Sequence, residues 1–285
     1  MAVRARYHTD PACSASWAAE PRLRRLMVEF GDELQIAYVM GGLAREFEDL
    51  PALVTTWLDD AAASGMPLDP RTWSGDPPRS SYPACIAFRA ASEQGPGAAE
   101  RYLRGLREGL MCHRRKLDGP EALVEEARRA DLDAQRFRID LESNATLEAF
   151  ASDLEATRMI PSAAREVGLA VASGHGSTVE RLRLPAMRFI ANGEDERWVG
   201  GDHAYDDWRA AAVAAGASPN RAQRPDVAGA LRRFGRMATA ELAAVCDLPG
   251  PRAGAEVWRL ATEWRARRVP VLFGELWEAV EPGHR

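Results

Sequence analysis

The sequence lacks long apolar runs, which excludes a helix that spans a membrane. No stretch approaches the ~20 consecutive apolar residues that such a helix requires. Near the N-terminus, Arg4, Arg6 and His8 interrupt the segment in which a secretory signal needs a continuous apolar core. We therefore expect a cytoplasmic protein without a membrane partner.

The sequence also lacks an excess of positive charge. It has 37 basic residues against 42 acidic ones, a net charge of −5, and Lys116 is its only lysine. A chain with this balance has no global attraction for nucleic acid or for an anionic membrane surface. We expect no nucleic-acid partner.

Cysteine is sparse, and its spacing excludes the common metal sites. The cysteines are widely separated, and Cys112-His113 has no second pair at the spacing that a zinc site requires. A reducing compartment keeps structural disulfides rare. We expect no metal, and we expect each thiol to be either catalytic or a small core residue; the four are Cys13, Cys85, Cys112 and Cys246.

The first forty residues predict a strand, a helix and a second strand. Residues 3–8 alternate apolar and polar side chains, as in a strand with one buried face. Residues 16–30 have helical spacing, with a kink expected at Pro21, which lacks an N–H. Residues 34–40 are almost continuously apolar, which favours an inner strand covered on both faces.

The middle of the chain, residues 45–170, has no strong strand signal and reads as a helical insertion. At least five helices are expected there, over residues 50–63, 85–94, 98–111 and 120–130 and within 146–167, where Pro161 marks a break.

After the insertion the strand pattern returns. Leu184-Pro185 opens a strand over residues 186–190, and Asn192-Gly193 favours the tight turn of an antiparallel hairpin. A second strand over 196–200 and a helix over 204–215 complete the segment.

The tail begins with a proline-bracketed linker at residues 219–225. Three helices and a hairpin are expected after it, an arrangement that resembles a winged helix. Its arginines suggest phosphate contacts, but interleaved acids oppose them, so we favour a packing or protein-interaction module. The arginines are Arg252, Arg259, Arg265, Arg267 and Arg268, and the acids are Glu256, Glu263, Glu275 and Glu278.

The most informative stretch is Asp10-Pro11-Ala12-Cys13, between the first strand and the first helix. A helix N-terminus favours negative charge, so a thiolate at Cys13 would be stabilised there. Ser16 stands three residues on, where a two-cysteine redox site has its second thiol. We expect Asp10 to cap the helix. Ser16 and His8 are candidates to lower the pKa of Cys13.

This order of elements, with a cysteine at the first helix and a proline opening the third strand, resembles the DsbA family of thiol-disulfide oxidoreductases. The cytoplasmic branch of that family has openings similar to Asp10-Pro11-Ala12-Cys13 followed by Trp17, and a segment similar to residues 80–85. The resemblance implies a thioredoxin-like α/β fold. The implied organisation is a DsbA-like domain over residues 1–218, with its insertion at about 45–170, and a winged-helix-like unit over 225–285.

The resemblance also implies a site. Cys13 and Ser16 match the catalytic positions, while Leu184 and Pro185 match the loop that receives substrate beside the cysteine, with the proline in the cis form. With one sulfur, Cys13 can form only mixed disulfides, which a substrate thiol, glutathione or another cysteine must resolve. Cys85 is the best candidate within the chain for such a resolving thiol, although a buried core role is favoured for it.

Three functions remain open at this stage. The leading one is a thiol-disulfide oxidoreductase or isomerase that works through mixed disulfides with protein thiols or glutathione. A related branch of the fold resembles the non-enzymatic adaptor that delivers Spx to ClpXP, and Ser16 and the extra C-terminal unit motivate this alternative. Glutathione-dependent transferases and isomerases with a serine-type site are the third.

Overall fold

A computed structural model describes residues 2–173, 178–190, 196–220 and 224–280. Nine strands are assigned in these ranges, and four of them form the central sheet in the order β2-β1-β5-β6. β2 runs parallel to β1, whereas β5 is antiparallel to both β1 and β6. The strands are β1 (Val3–Thr9), β2 (Leu34–Met40), β3 (Ala170–Ala172), β4 (Glu180–Leu182), β5 (Ala186–Ile190), β6 (Glu196–Gly200), β7 (Met237–Ala238), β8 (Ala266–Pro270) and β9 (Glu275–Ala279).

The first half of the sheet follows the sequence prediction with one correction. Helix α1 (Ser14–Ala18) and helix α2 (Glu20–Phe30) are separated at Ala19, with Pro21 in the first turn of α2, where its missing N–H leaves no bond unmade. The expectation of an inner strand at residues 34–40 is wrong, because β2 is an edge strand. Its apolar run is partly buried by helices instead of by a second neighbouring strand.

The insertion contains the helices expected from periodicity and one more. Helix α7 escaped prediction because Phe137 is its only buried residue, which leaves no apolar stripe to read. The helices are α3 (Leu50–Ser64), α4 (Tyr82–Ser92), α5 (Pro96–Cys112), α6 (Pro120–Arg129), α7 (Ala134–Leu141), α8 (Asn144–Arg158) and α9 (Ser162–Glu166).

The insertion ends in a small hairpin that the sequence did not reveal. β3 and β4 pair antiparallel with only three residues each, too few for an alternating pattern to stand out. β5 and β6 follow as expected, and helix α10 (Tyr205–Ala214) packs back on the sheet. The turn predicted at Asn192-Gly193 lies outside the described residues.

The C-terminal part has helices α11 (Val227–Phe234), α12 (Thr239–Val245) and α13 (Gly250–Thr262) and a three-stranded sheet in the order β7-β9-β8. The hairpin strands begin one to three residues earlier than predicted, and β7 was not predicted. The winged-helix assignment and the domain limits at 218 and 225 stay predictions.

Helix packing, ion pairs and backbone hydrogen bonds join this C-terminal part to the rest of the chain. Leu68 and Phe273 exchange both backbone hydrogen bonds at 2.9 Å, which attaches the tip of the β8–β9 hairpin to the insertion. Arg104 of α5 binds Glu241 of α12 with two nitrogens, at 2.8 and 2.9 Å. Across the described ranges, no helix combines the length and apolar content needed to cross a membrane.

Candidate functional site

Cys13 lies where β1 ends and α1 begins. Its side chain caps that helix, because Sγ accepts a hydrogen bond from the backbone N–H of Ser16 at 3.4 Å. The expectation that Asp10 caps the helix is therefore wrong. Since α1 has only five residues, few aligned peptide dipoles support a negative charge on the sulfur.

The loop before β5 approaches this cysteine. The Leu184–Pro185 peptide bond is cis, in agreement with what the family resemblance implies. The Cys13 thiol donates to the carbonyl oxygen of Leu184 at 3.8 Å. Cys13, Ser16, Leu184 and Pro185 are thus brought together by the fold, although 171 residues separate the cysteine from the leucine.

Two glycines that sequence reasoning missed frame this loop. A Cβ at Gly201 would lie 2.3 Å from Cγ of Pro185, and one at Gly41 would lie 2.5 Å from Cδ1 of Leu184. Gly201 also donates its N–H to the Pro185 carbonyl at 2.8 Å. At Gly201 only glycine leaves room, because the Pro185 ring cannot turn aside, whereas a side chain at Gly41 would have to displace the end of the Leu184 side chain. The Gly41-Gly42 and Gly200-Gly201 pairs were the available signals in the sequence.

Asp10 is the anchor of the site. It is fully buried, and one carboxylate oxygen accepts the N–H of Ala12 at 2.8 Å. The other oxygen accepts the Leu43 N–H at 2.6 Å, the Ser81 hydroxyl at 2.9 Å and the Cys85 thiol at 3.2 Å. A single carboxylate therefore ties the cysteine turn to the chain after β2 and to the start of α4. Local sequence patterns could not reveal this anchor, because three of its four donors are 33 to 75 residues away.

The electrostatics of Cys13 oppose a reactive thiolate. The residue is 5% exposed, and burial raises its pKa, an effect that the negative charge of Asp10 reinforces. The Ser16 hydroxyl makes no hydrogen bond of standard geometry among the described residues. The hydroxyl and the backbone N–H of Ser16, together with the charge of Arg181, nevertheless lower the pKa of Cys13 and offset part of the effect of burial. The expected activation of this thiol is wrong: the pKa is raised, not lowered.

We expect alkylation of Cys13 by iodoacetamide to be slow at neutral pH and to accelerate only above the ordinary thiol pKa of about 8.5. The measurement uses the variant in which Cys85, Cys112 and Cys246 are alanine, followed by mass spectrometry across pH. The same protein in denaturant is the matched control, because unfolding removes the burial. A folded-state midpoint below that of the unfolded chain would refute the assignment.

The other three cysteines are free, buried thiols. Cys85 donates to the Asp10 carboxylate, and burial together with that charge holds its pKa well above the usual value. Burial likewise raises the pKa of Cys112 and brings that of Cys246 to about 11. These surroundings fit the core role favoured for the three residues and give Cys85 no character of a resolving thiolate.

His8 does not serve the thiol. Its ring is 2% exposed and stacks near Trp198, with the ring centroids 5.4 Å apart. Burial lowers its pKa to about 3, and the charges of Arg6 and Arg188 push it in the same direction. A histidine that stays neutral has no positive charge to offer a thiolate, so its proposed help to Cys13 is wrong.

Trp17 joins α1 to the insertion. Its indole Nε1–H donates to the Pro67 carbonyl at 2.9 Å, and the Arg104 guanidinium lies 4.5 Å from its ring centre.

No group of three or more histidine, cysteine or acidic side chains in the described ranges is arranged to hold a metal ion. Glutathione, expected as a co-substrate, stays a prediction.

The sequence matches the Thioredoxin family over residues 7–161. It is 28% identical to the ClpXP adapter protein SpxH of Halalkalibacterium halodurans, over 95% of this chain and 87% of that protein. Among solved structures, a candidate protein disulfide isomerase from Nitrosomonas europaea has a TM-score of 0.61 at 14% identity, covering 75% of this chain and 97% of the other. The cytosolic disulfide reductase DsbM of Pseudomonas aeruginosa has a TM-score of 0.54 at 17% identity, covering 73% and 95%.

Proposed function

The chain belongs to the thioredoxin family, and from that premise we propose that it works as a protein-binding adapter that presents a client to the ClpXP protease. In this role the DsbA-like body is a scaffold for protein contacts. The role belongs in the cytoplasm and requires two protein partners, the protease and the client.

The observation that carries the proposal is the state of Cys13. A thiol catalyst needs an accessible thiolate, and a two-electron cycle within one chain needs a second sulfur. Cys13 is buried, its pKa is raised, and Ser16 supplies an oxygen in the second position. These properties of Cys13 favour a scaffold role for the fold over thiol catalysis.

The lengths of the similar proteins support the same conclusion. The SpxH protein of H. halodurans aligns with 95% of this chain. The two redox-type structures are covered almost completely, yet they leave about a quarter of this chain unmatched. The likeness in sequence to the SpxH protein therefore extends over more of this chain than the likeness in fold to these two structures.

Cys13→Ala is expected to leave client delivery unchanged within about two-fold, because a thiol buried inside the chain offers almost no surface to a partner. The measurement is the rate at which purified ClpXP degrades an Spx homologue from the same cell in the presence of the full chain. Cys246→Ala, which removes another buried thiol, is the matched control. If Cys13→Ala abolishes delivery and Cys246→Ala does not, delivery depends on the Cys13 thiol and the proposal of a thiol-independent adapter is refuted.

A disulfide oxidoreductase or isomerase is the second candidate, favoured by the contact between the Cys13 thiol and the cis-proline loop. It would work through mixed disulfides with protein thiols or glutathione. The same pair of variants separates the two functions. Insulin reduction or isomerase activity that disappears in Cys13→Ala and persists in Cys246→Ala supports the enzyme.

A further inference from the structure

A wide cleft separates the DsbA-like body from the C-terminal part. It has a volume of about 1140 Å³, above the range of about 300 to 1,000 Å³ typical of sites for small molecules. One wall is formed by α2, α5 and α6, and the other by residues 231–236 at the end of α11 together with Glu278 and Ala279. A cleft of this size suits a peptide segment better than a single metabolite.

The cleft concentrates positive charge in a chain that is acidic overall. Nine arginines and six carboxylates line it. Six of these arginines are ion-paired within the protein, some of them with Glu241 and Glu125, which lie outside the lining. Arg232 and Arg233 are exposed at its rim, and within the described ranges neither has a carboxylate at ion-pair distance. Glu100 lies on the opposite wall, where burial raises the pKa of its carboxyl and the charge of Arg233 lowers it. Because burial has the larger effect, Glu100 is a poor anionic partner for Arg233.

A buried arginine at the base of the cleft is incompletely paired. Arg107 is 1% exposed, and two of its nitrogens bind Glu20 and the Thr9 hydroxyl. Its Nε–H has no hydrogen-bond partner among the described residues. The unpaired donor leaves the charge of Arg107 incompletely compensated at the base of the cleft.

Apolar side chains lie between these charges. They come from both walls, and the half-buried ones, Met27, Phe234 and Ala279, would contact the hydrocarbon part of a ligand while arginine guanidinium groups bind its carboxylates. Carboxylates in the same lining would repel a dense polyanion, which disfavours nucleic acid and polyphosphate. The apolar residues are Leu23, Met27, Leu103, Leu231, Phe234 and Ala279.

We propose that this cleft binds an acidic, partly apolar peptide segment of a protein partner. The inference rests on the adapter function and adds to it the chemistry by which the partner is recognised. The exposed Arg232 and Arg233 make first contact with the acidic side chains, and the apolar residues between the walls receive the rest of the segment.

The test measures binding of a fluorescein-labelled peptide of twelve alternating glutamates and leucines to the full chain by anisotropy. Arg232→Glu with Arg233→Glu is expected to weaken binding more than tenfold, because two attractive charges become repulsive. Arg138→Glu with Arg197→Glu is the matched control. It changes the net charge equally at exposed arginines that do not line the cleft, and it should leave affinity unchanged.

Equal weakening by both double variants, or equal binding of a peptide with glutamine in place of glutamate, would overturn the proposal. So would polyphosphate that displaces the peptide and binds more tightly than it does. The ClpXP assay keeps the two proposals apart. Loss of peptide binding with normal client delivery refutes the cleft as the client site and leaves the adapter function standing.

Discussion

Glu20→Ala is expected to lower the free energy of unfolding by about 3 to 5 kcal/mol, the usual cost of leaving buried charge without its partner. Glu20 is buried at the start of α2 and binds three arginines. The contacts are with Arg107, with Arg24 at 3.3 Å and with Arg104 at 3.3 Å. Although burial alone would raise it, these cations hold the pKa of Glu20 below its usual value.

Chemical denaturation at pH 7, followed by far-UV circular dichroism, measures the loss. Glu125→Ala is the matched control, because Glu125 pairs with Arg128 and Arg129 at the exposed surface of α6, and we expect no measurable change there.

The lowered pKa of Glu20 also determines the direction in which stability changes with pH. Its contribution is present above the unfolded value near 4.5 and is lost as the pH falls below it, so the two curves should converge in acid. Equal stability of Glu20→Ala and Glu125→Ala would show that the arginines find other partners.

Asp10→Asn is expected to cost about 2 to 4 kcal/mol, since each buried group left unpaired costs about 1 to 3 kcal/mol. If the amide oxygen keeps its bond to Ala12, the new NH2 group faces three donors, from Leu43, Ser81 and Cys85. Asparagine has nearly the same shape, so the loss reports hydrogen bonding and charge and not packing. Thermal and chemical unfolding measure it.

A second readout of Asp10→Asn is independent of stability. The Asp10 charge raises the pKa of Cys13 and of Cys85, so its removal should lower both and speed the alkylation of Cys13 at a fixed pH. Asp49→Asn is the control, because Asp49 is exposed and accepts one N–H at the start of α3. A destabilised variant whose Cys13 reacts no faster than in the parent would rule out a contribution of the Asp10 charge to the pKa that burial raises.

The sequence determined the elements of this protein wherever local chemistry decides them. The break near Pro21, the strand that follows Leu184-Pro185 and most insertion helices agree with the structure, because proline, glycine and apolar periodicity act within a few residues. The absence of a second sulfur was equally plain, since Ser16 is visible in the chain itself. The family resemblance then implied the fold, which the family match confirms.

Only the tertiary structure decided the character of the site. The sequence placed Cys13 at a helix N-terminus, which favours a thiolate, but burial and the charge of Asp10 outweigh that effect and raise its pKa. The edge position of β2, three of the four donors to Asp10 and the arginine-lined cleft depend on residues far apart in the chain. Desolvation and charge pairing depend on which segments come into contact in the folded chain, and local sequence patterns do not predict those contacts.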